Sequence, residues 1–159
     1  MPLIDSSLDT AAKRVSISWH LDPSPDRVWW GLTDPEALPQ WMGRVISGRF
    51  AREETVLIEH AEDYCCTSEI LECEPERLIA MTWHFPEEPV SRLRIELTPN
   101  GTGTQLVLTH EALGAETGNY LPGWHTHLLY LEAQLAGEPR PMAEFWATYE
   151  TLAGTGPEP

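Results

Sequence analysis

"GWHTHLLYLEAQLAG", residues 123–137, decides how this chain folds. Trp124, Leu128, Leu131 and Leu135 recur at helical spacing, with His127 and Gln134 beside them. That pattern is one apolar face of a helix, and Gly137 supplies its stop. The spacing predicts one helix over 121–136, with Trp124, His127, Leu128, Leu131 and Leu135 facing the rest of the domain. His125, Leu129 and Glu132 should lie away from that line, Leu129 near its edge. Two histidines two apart share a face on a strand, but on a helix they point about 200° apart. His125 and His127 therefore cannot chelate one metal together, and His127 should be the more buried and the better pocket candidate.

Upstream of the helix the period changes from helical to alternating. In "KRVSISWHL" (13–21) Val15, Ile17, Trp19 and Leu21 share one face, which describes a half-buried strand. Ser24 and Pro25 then suit the start of a short helix, and Asp34-Pro35 breaks it and begins a second. Strand-like segments follow: "RVISGRF", "TVLIEHAE", "YCCTSEILECEP", "RLIAMTWHF", "SRLRIELTP" and "TQLVLTHEAL". The short polar turns between them, "NGTG" among them, imply an antiparallel meander. The acidic runs "EE" and "PEEP" read as solvated turns.

Residues 1–12 read as a loose tail. At the other end, Met142, Phe145, Trp146, Tyr149 and Leu152 have helical spacing within 138–159. So many large apolar side chains should dock on the domain or across a homodimer. The final "GTGPEP" should be mobile.

Composition narrows the function. A chain of 159 residues with 42% hydrophobic residues fits one domain with a sizeable core. Its net charge of −15 argues against nucleic acid and anionic membrane surfaces, because phosphates would be repelled. There is no apolar run of membrane-spanning length and no secretory leader pattern. The three cysteines, Cys65, Cys66 and Cys73, form neither a disulfide framework nor a zinc motif, and the expected location is the cytoplasm. Lys13 is the single lysine and opens a strand, so neither a Schiff-base lysine nor a phosphate-binding P-loop is available. No nucleophile, base and acid stand in a recognisable set, and no cofactor or metal is expected.

The order of strand, two short helices, meander and long helix is distinctive, and four segments strengthen it. "PSPDRVWWGLTDPEALPQWM", "EILECEPERLIAMTWHF", "SRLRIELTPNGTGTQLVLTHEAL" and "GWHTHLLYLEAQLAG" resemble the Hsp90-ATPase-activator-like branch of the START-like (SRPBCC) superfamily. The resemblance covers about residues 13–137. It implies an α+β helix-grip fold, in which a curved antiparallel sheet wraps a long C-terminal helix around a cavity that is often apolar. Relatives in the superfamily bind lipids or hormones, cyclise polyketides, or hydroxylate rings with a separate iron domain; eukaryotic relatives of this branch activate the Hsp90 ATPase.

On that basis Trp19, Trp83, His110, Trp124, His127 and Leu131 are the candidate ligand-binding residues. An apolar, aromatic wall with a few polar handles suits a small molecule. The plain alternative is that these residues are core, and that an inward His110 is a hydrogen-bonded structural histidine. Glu111 falls on the opposite strand face from His110 and is not its partner. The first expectation is a binder of a small apolar or aromatic molecule. The second is a cyclase-type enzyme using His110 or His127 as acid or base. The third is a chaperone-binding, stress-linked interaction module.

Overall fold

A computed structural model describes residues 3–115 and 117–154. Its elements are β1 (Leu3–Asp9), β2 (Arg14–Leu21), α1 (Pro25–Thr33), β3 (Arg44–Ser47), β4 (Thr55–Ala61), β5 (Tyr64–Glu74), β6 (Leu78–Trp83), β7 (Ser91–Asn100), β8 (Gly103–Glu111), α2 (Thr117–Leu135) and α3 (Phe145–Gly154). Short 3-10 turns at Leu38–Gln40 and Met142–Glu144 complete it. One antiparallel sheet of eight strands runs β1-β2-β8-β7-β6-β5-β4-β3. The meander from β3 to β8 places each strand beside the next, and β8 returns to pair with β2. This is the α+β helix-grip arrangement, with α2 packed along the inner face of the sheet.

Alternation in the sequence becomes facing in the sheet. Val15, Ile17, Trp19 and Leu21 of β2, Leu93, Ile95 and Leu97 of β7, and Leu106, Leu108 and His110 of β8 are all buried. Their neighbours on the outer face carry charge: Arg94 pairs with Glu72 at 3.0 Å and Glu96 at 2.8 Å. Helix α1 crosses α2 closely at Gly31, where an added Cβ would lie 3.0 Å from Leu131 Cδ1. The Trp41 indole N–H caps this corner by donating to the Gly31 carbonyl at 2.7 Å.

The structure corrects four expectations. Residues 3–9 are not a loose tail but strand β1, paired with β2 from Leu3↔Trp19 to Asp9↔Arg14. The segment lacks an apolar alternation because an edge strand is held mainly by backbone hydrogen bonds, and it covers an edge that β2 would otherwise expose. Helix α2 begins at Thr117, a turn before the predicted start, and carries Pro122 within it. Proline there removes one N–H, and the turn before it is held by Tyr120, which hydrogen-bonds Glu88 at 2.6 Å. Ser24 occupies the N-cap of α1, but its hydroxyl donates to the Asp26 carboxylate and its oxygen accepts no backbone N–H of the first turn. His125 does not face away from the sheet; its ring packs edge-on against Trp19 at 5.3 Å.

Gly137, with φ of 83°, closes α2. Its N–H reaches the Gln134 carbonyl at 3.1 Å and that of Glu138 reaches Ala133 at 2.9 Å, the paired bonds of a Schellman cap. The chain then turns back, and α3 docks on α2 within the same molecule. Phe145 is buried and Met142 partly so, while Trp146 stays 63% exposed. Of the 154–159 segment expected to be mobile, Gly154 ends α3, and 155–159 lie outside the described residues. Truncation after Gly137 should therefore lower stability by about 2–4 kcal/mol, from the lost burial of Phe145 and Met142. Calorimetry beside light scattering checks this: unchanged melting with unchanged mass would show that α3 contributes nothing.

Candidate ligand cavity

A cavity of about 340 Å³ opens where α2, α3 and the ends of β4 and β6 meet. Strand β6 sends in Trp83, and Phe85 follows just beyond it. The hairpin between β4 and β5 contributes His60 and Tyr64. Helix α2 presents Tyr120, Gly123, Trp124 and His127 from its N-terminal half, and Phe145, Trp146 and Tyr149 of α3 close the outer side. Aromatic rings form most of this wall and touch one another: Trp83 and Trp124 lie 5.1 Å apart, Trp124 and His127 5.3 Å, and His127 and Phe145 4.6 Å. A larger groove of about 660 Å³ lies on the outer face, but it is lined by mutually paired charges such as Arg77 with Glu74 and Arg94 with Glu96.

Hydrogen bonds assign the histidines. The Trp124 indole N–H donates to His110 Nδ1 at 2.9 Å, so Nδ1 is an acceptor. His110 Nε2 must then carry the proton and donate to Ser91 Oγ at 2.7 Å, and Ser91 donates to the Trp83 carbonyl at 3.0 Å. Burial holds the His110 pKa down at about 3. Both ring nitrogens are committed, so His110 positions Trp124 and is not free to exchange protons with a ligand. His127 differs. Its Nδ1 donates to the Trp41 carbonyl at 2.9 Å, which leaves Nε2 as an acceptor. Burial lowers its pKa to about 4, partly opposed by that carbonyl. His127 is half-buried by surface and lines the cavity, so the surface it keeps faces the cavity rather than bulk water. His60 is pushed to about 3, mainly by burial and then by His127, and its Nε2 has no partner among the described residues. All three rings are therefore neutral at pH 7.

The PEEP turn is not simply solvated. Glu88 turns inward, partly buried, and lines the cavity. Its Oε1 accepts from the Tyr120 hydroxyl, and burial followed by that hydrogen bond pushes the Tyr120 phenol well above its usual range.

The residues matched by the family model for activator of Hsp90 ATPase homolog 1-like protein are 22–136. The chain belongs to that family. Among solved structures, this family member is similar to CalU16 from Micromonospora echinospora, with a TM-score of 0.77, 23% identity, and coverage of 96% of this chain and 94% of that one. The protein encoded by gene BPP1335 of Bordetella parapertussis aligns with a TM-score of 0.71 and 25% identity over 98% of this chain and 91% of its own. DynU16, from the dynemicin biosynthetic locus, aligns with a TM-score of 0.72 and 20% identity over 80% of this chain and 49% of its own. These likenesses confirm the helix-grip fold. No curated protein matches the chain. No helix among the described residues is long and apolar enough to cross a membrane.

Of the residues singled out from the sequence, Trp83, Trp124 and His127 line the cavity of this family member. His110 stands behind it, fully buried. Trp19 and Leu131 lie elsewhere. Trp19 pairs with Leu106, four residues along β2 from the Val15↔His110 pair, about 13 Å from the cavity end of the sheet. Leu131 lies seven residues along α2 from Trp124, about 10 Å, and packs against α1. Both are core. His60, Tyr64, Glu88, Tyr120 and the α3 aromatics were not singled out as cavity residues. The helical spacing of the 142–152 segment was the available signal for the last group; the others had none stronger than any polar or aromatic residue near a turn.

Proposed function

We propose that this protein binds a small apolar or aromatic molecule in the cavity between β4, β6, α2 and α3. The observation that carries this reading is the cavity itself: it has the volume of small-molecule sites, aromatic walls and a few convergent polar groups. The place of the structural neighbour DynU16 in a biosynthetic locus is in keeping with a small-molecule ligand. Acid–base catalysis, the alternative, would fall to His127 Nε2, and a pKa near 4 makes that group a weak base at neutral pH.

Gly123 offers a test that does not damage the fold. A Cβ there would meet only the Tyr149 ring, at 3.8 Å, and the position lines the cavity. Gly123→Leu should fill the cavity and keep or raise stability, since leucine favours a helix over glycine by about 0.8 kcal/mol. N-phenyl-naphthylamine, a neutral apolar fluorophore, should bind the parent protein and lose about tenfold or more in affinity to the variant, the equivalent of about 1.4 kcal/mol. Equal binding by a folded Gly123→Leu protein, or no binding by the parent, would remove the reading.

A further inference from the structure

The cavity is chemically one-sided. Among the described residues Glu88 is its sole formally charged lining residue, and no lysine or arginine contributes to the wall. Aromatic rings share the cavity wall with Glu88: Trp83 from the sheet, Tyr120 and Trp124 from α2, and Phe145, Trp146 and Tyr149 from α3. Ring faces carry negative electrostatic potential and attract cations held within about 6 Å. The Tyr120 hydroxyl is already spent on Glu88, at 2.6 Å, which fixes the carboxylate on the cavity side of its turn. Tyr64 approaches the same carboxylate from the β4–β5 hairpin. His127, through Nε2, adds an acceptor and no charge.

From this arrangement we propose that the cavity selects a ligand whose apolar or aromatic body carries an amine or ammonium cation, and that it discriminates against carboxylates. The proposal rests on the reading of the cavity as a small-molecule site and names the class of molecule that fits it. Opposing effects are smaller. The start of α2 brings a partial positive charge of about half a unit, against the full negative unit of Glu88. The Trp83 indole N–H is buried beside the Tyr120 hydroxyl, a single donor that serves a neutral oxygen as well as an anion. At longer range a net charge of −15 draws cations and repels anions.

The test compares three naphthalene probes of nearly equal size by isothermal calorimetry, on the full chain at neutral pH and low salt. Naphthylmethylamine should bind about tenfold or more tightly than naphthylacetate, with neutral naphthylmethanol between them, since one lost charge contact of about 1.4 kcal/mol is a factor of ten. Glu88→Gln should bring the amine and acetate within about threefold of each other and leave the alcohol nearly unchanged. Amine binding by the parent protein should weaken as salt rises, while alcohol binding should not; this readout needs no variant. If the alcohol binds but acetate equals the amine, or if a folded Glu88→Gln keeps the full preference, the cation selectivity is overturned and the small-molecule reading survives. If none of the three binds, both are overturned.

Discussion

Replacing Trp124 with alanine is expected to cost about 3–5 kcal/mol, the usual range for removing a large aromatic side chain from a core. For a domain of this size each kcal/mol moves the melting temperature by about 2–4 °C, so the midpoint should fall by about 10 °C. Trp124 earns this rank by joining two layers. It is 2% exposed, packs on Trp83, and ties α2 to β8 through its bond to His110. The loss has two parts that a second variant separates. Trp124→Phe keeps most of the ring but leaves His110 Nδ1 buried without a donor, which should cost about 1–3 kcal/mol. A Trp124→Ala midpoint within about 2 °C of the parent would show that the sheet and α2 do not depend on this link.

Acidification should destabilise the protein between about pH 6.5 and 4. His60, His110 and His127 have folded pKa values lowered from 6.5 to about 3, about 3 and about 4, chiefly by burial. A lowered pKa means that the folded state refuses protons which the unfolded chain accepts. The stabilising contribution is therefore complete above pH 6.5 and is lost as pH falls toward the folded values. For fully buried His110 the loss between pH 6.5 and 5 is about 2 kcal/mol, at about 1.4 kcal/mol per pH unit. His60 and His127 act in the same direction, so the sum is on the order of 5 kcal/mol, comparable to the whole stability of many domains. There is also a geometric reason at His110: protonating Nδ1 would set its N–H against that of Trp124, 2.9 Å away. Melting curves from pH 7 to pH 5 check the slope. A flat profile would contradict the burial of these rings, and His60→Phe should flatten it in part, because its buried Nε2 makes no bond to lose.

Both expectations follow from a site whose polar groups are stabilised in one state. His110 is fixed as an acceptor toward Trp124, and His127 as a donor toward Trp41. A ligand of the proposed kind, entering at neutral pH, would meet neutral rings and, among the described residues, one carboxylate. Below the acid window it would meet a less stable fold before it met a cavity of changed charge.

The sequence by itself determined most of the strands and the long helix, and which side of the alternating strands is buried. Period-two runs such as Val15-Ile17-Trp19-Leu21 and Leu93-Ile95-Leu97 have one solution in a half-buried sheet, and the Trp124–Leu135 spacing has one in a helix. It determined, by the same angular argument, that His125 and His127 diverge: one meets Trp19 and the other Trp41. The tertiary structure alone decided where the cavity lies. Trp19 and Trp83 carry the same inward pattern on their strands, yet one is core and the other lines the cavity, because periodicity fixes a face and not a distance along it. Edge strand β1 escaped notice because backbone pairing needs no apolar signature. Glu88 escaped because a turn rich in proline and glutamate looks solvated until α2 brings Tyr120 against it. Local sequence encodes orientation about a strand or helix axis; the partners met along that axis depend on sheet curvature and on where α3 lands, which are properties of the whole packed chain.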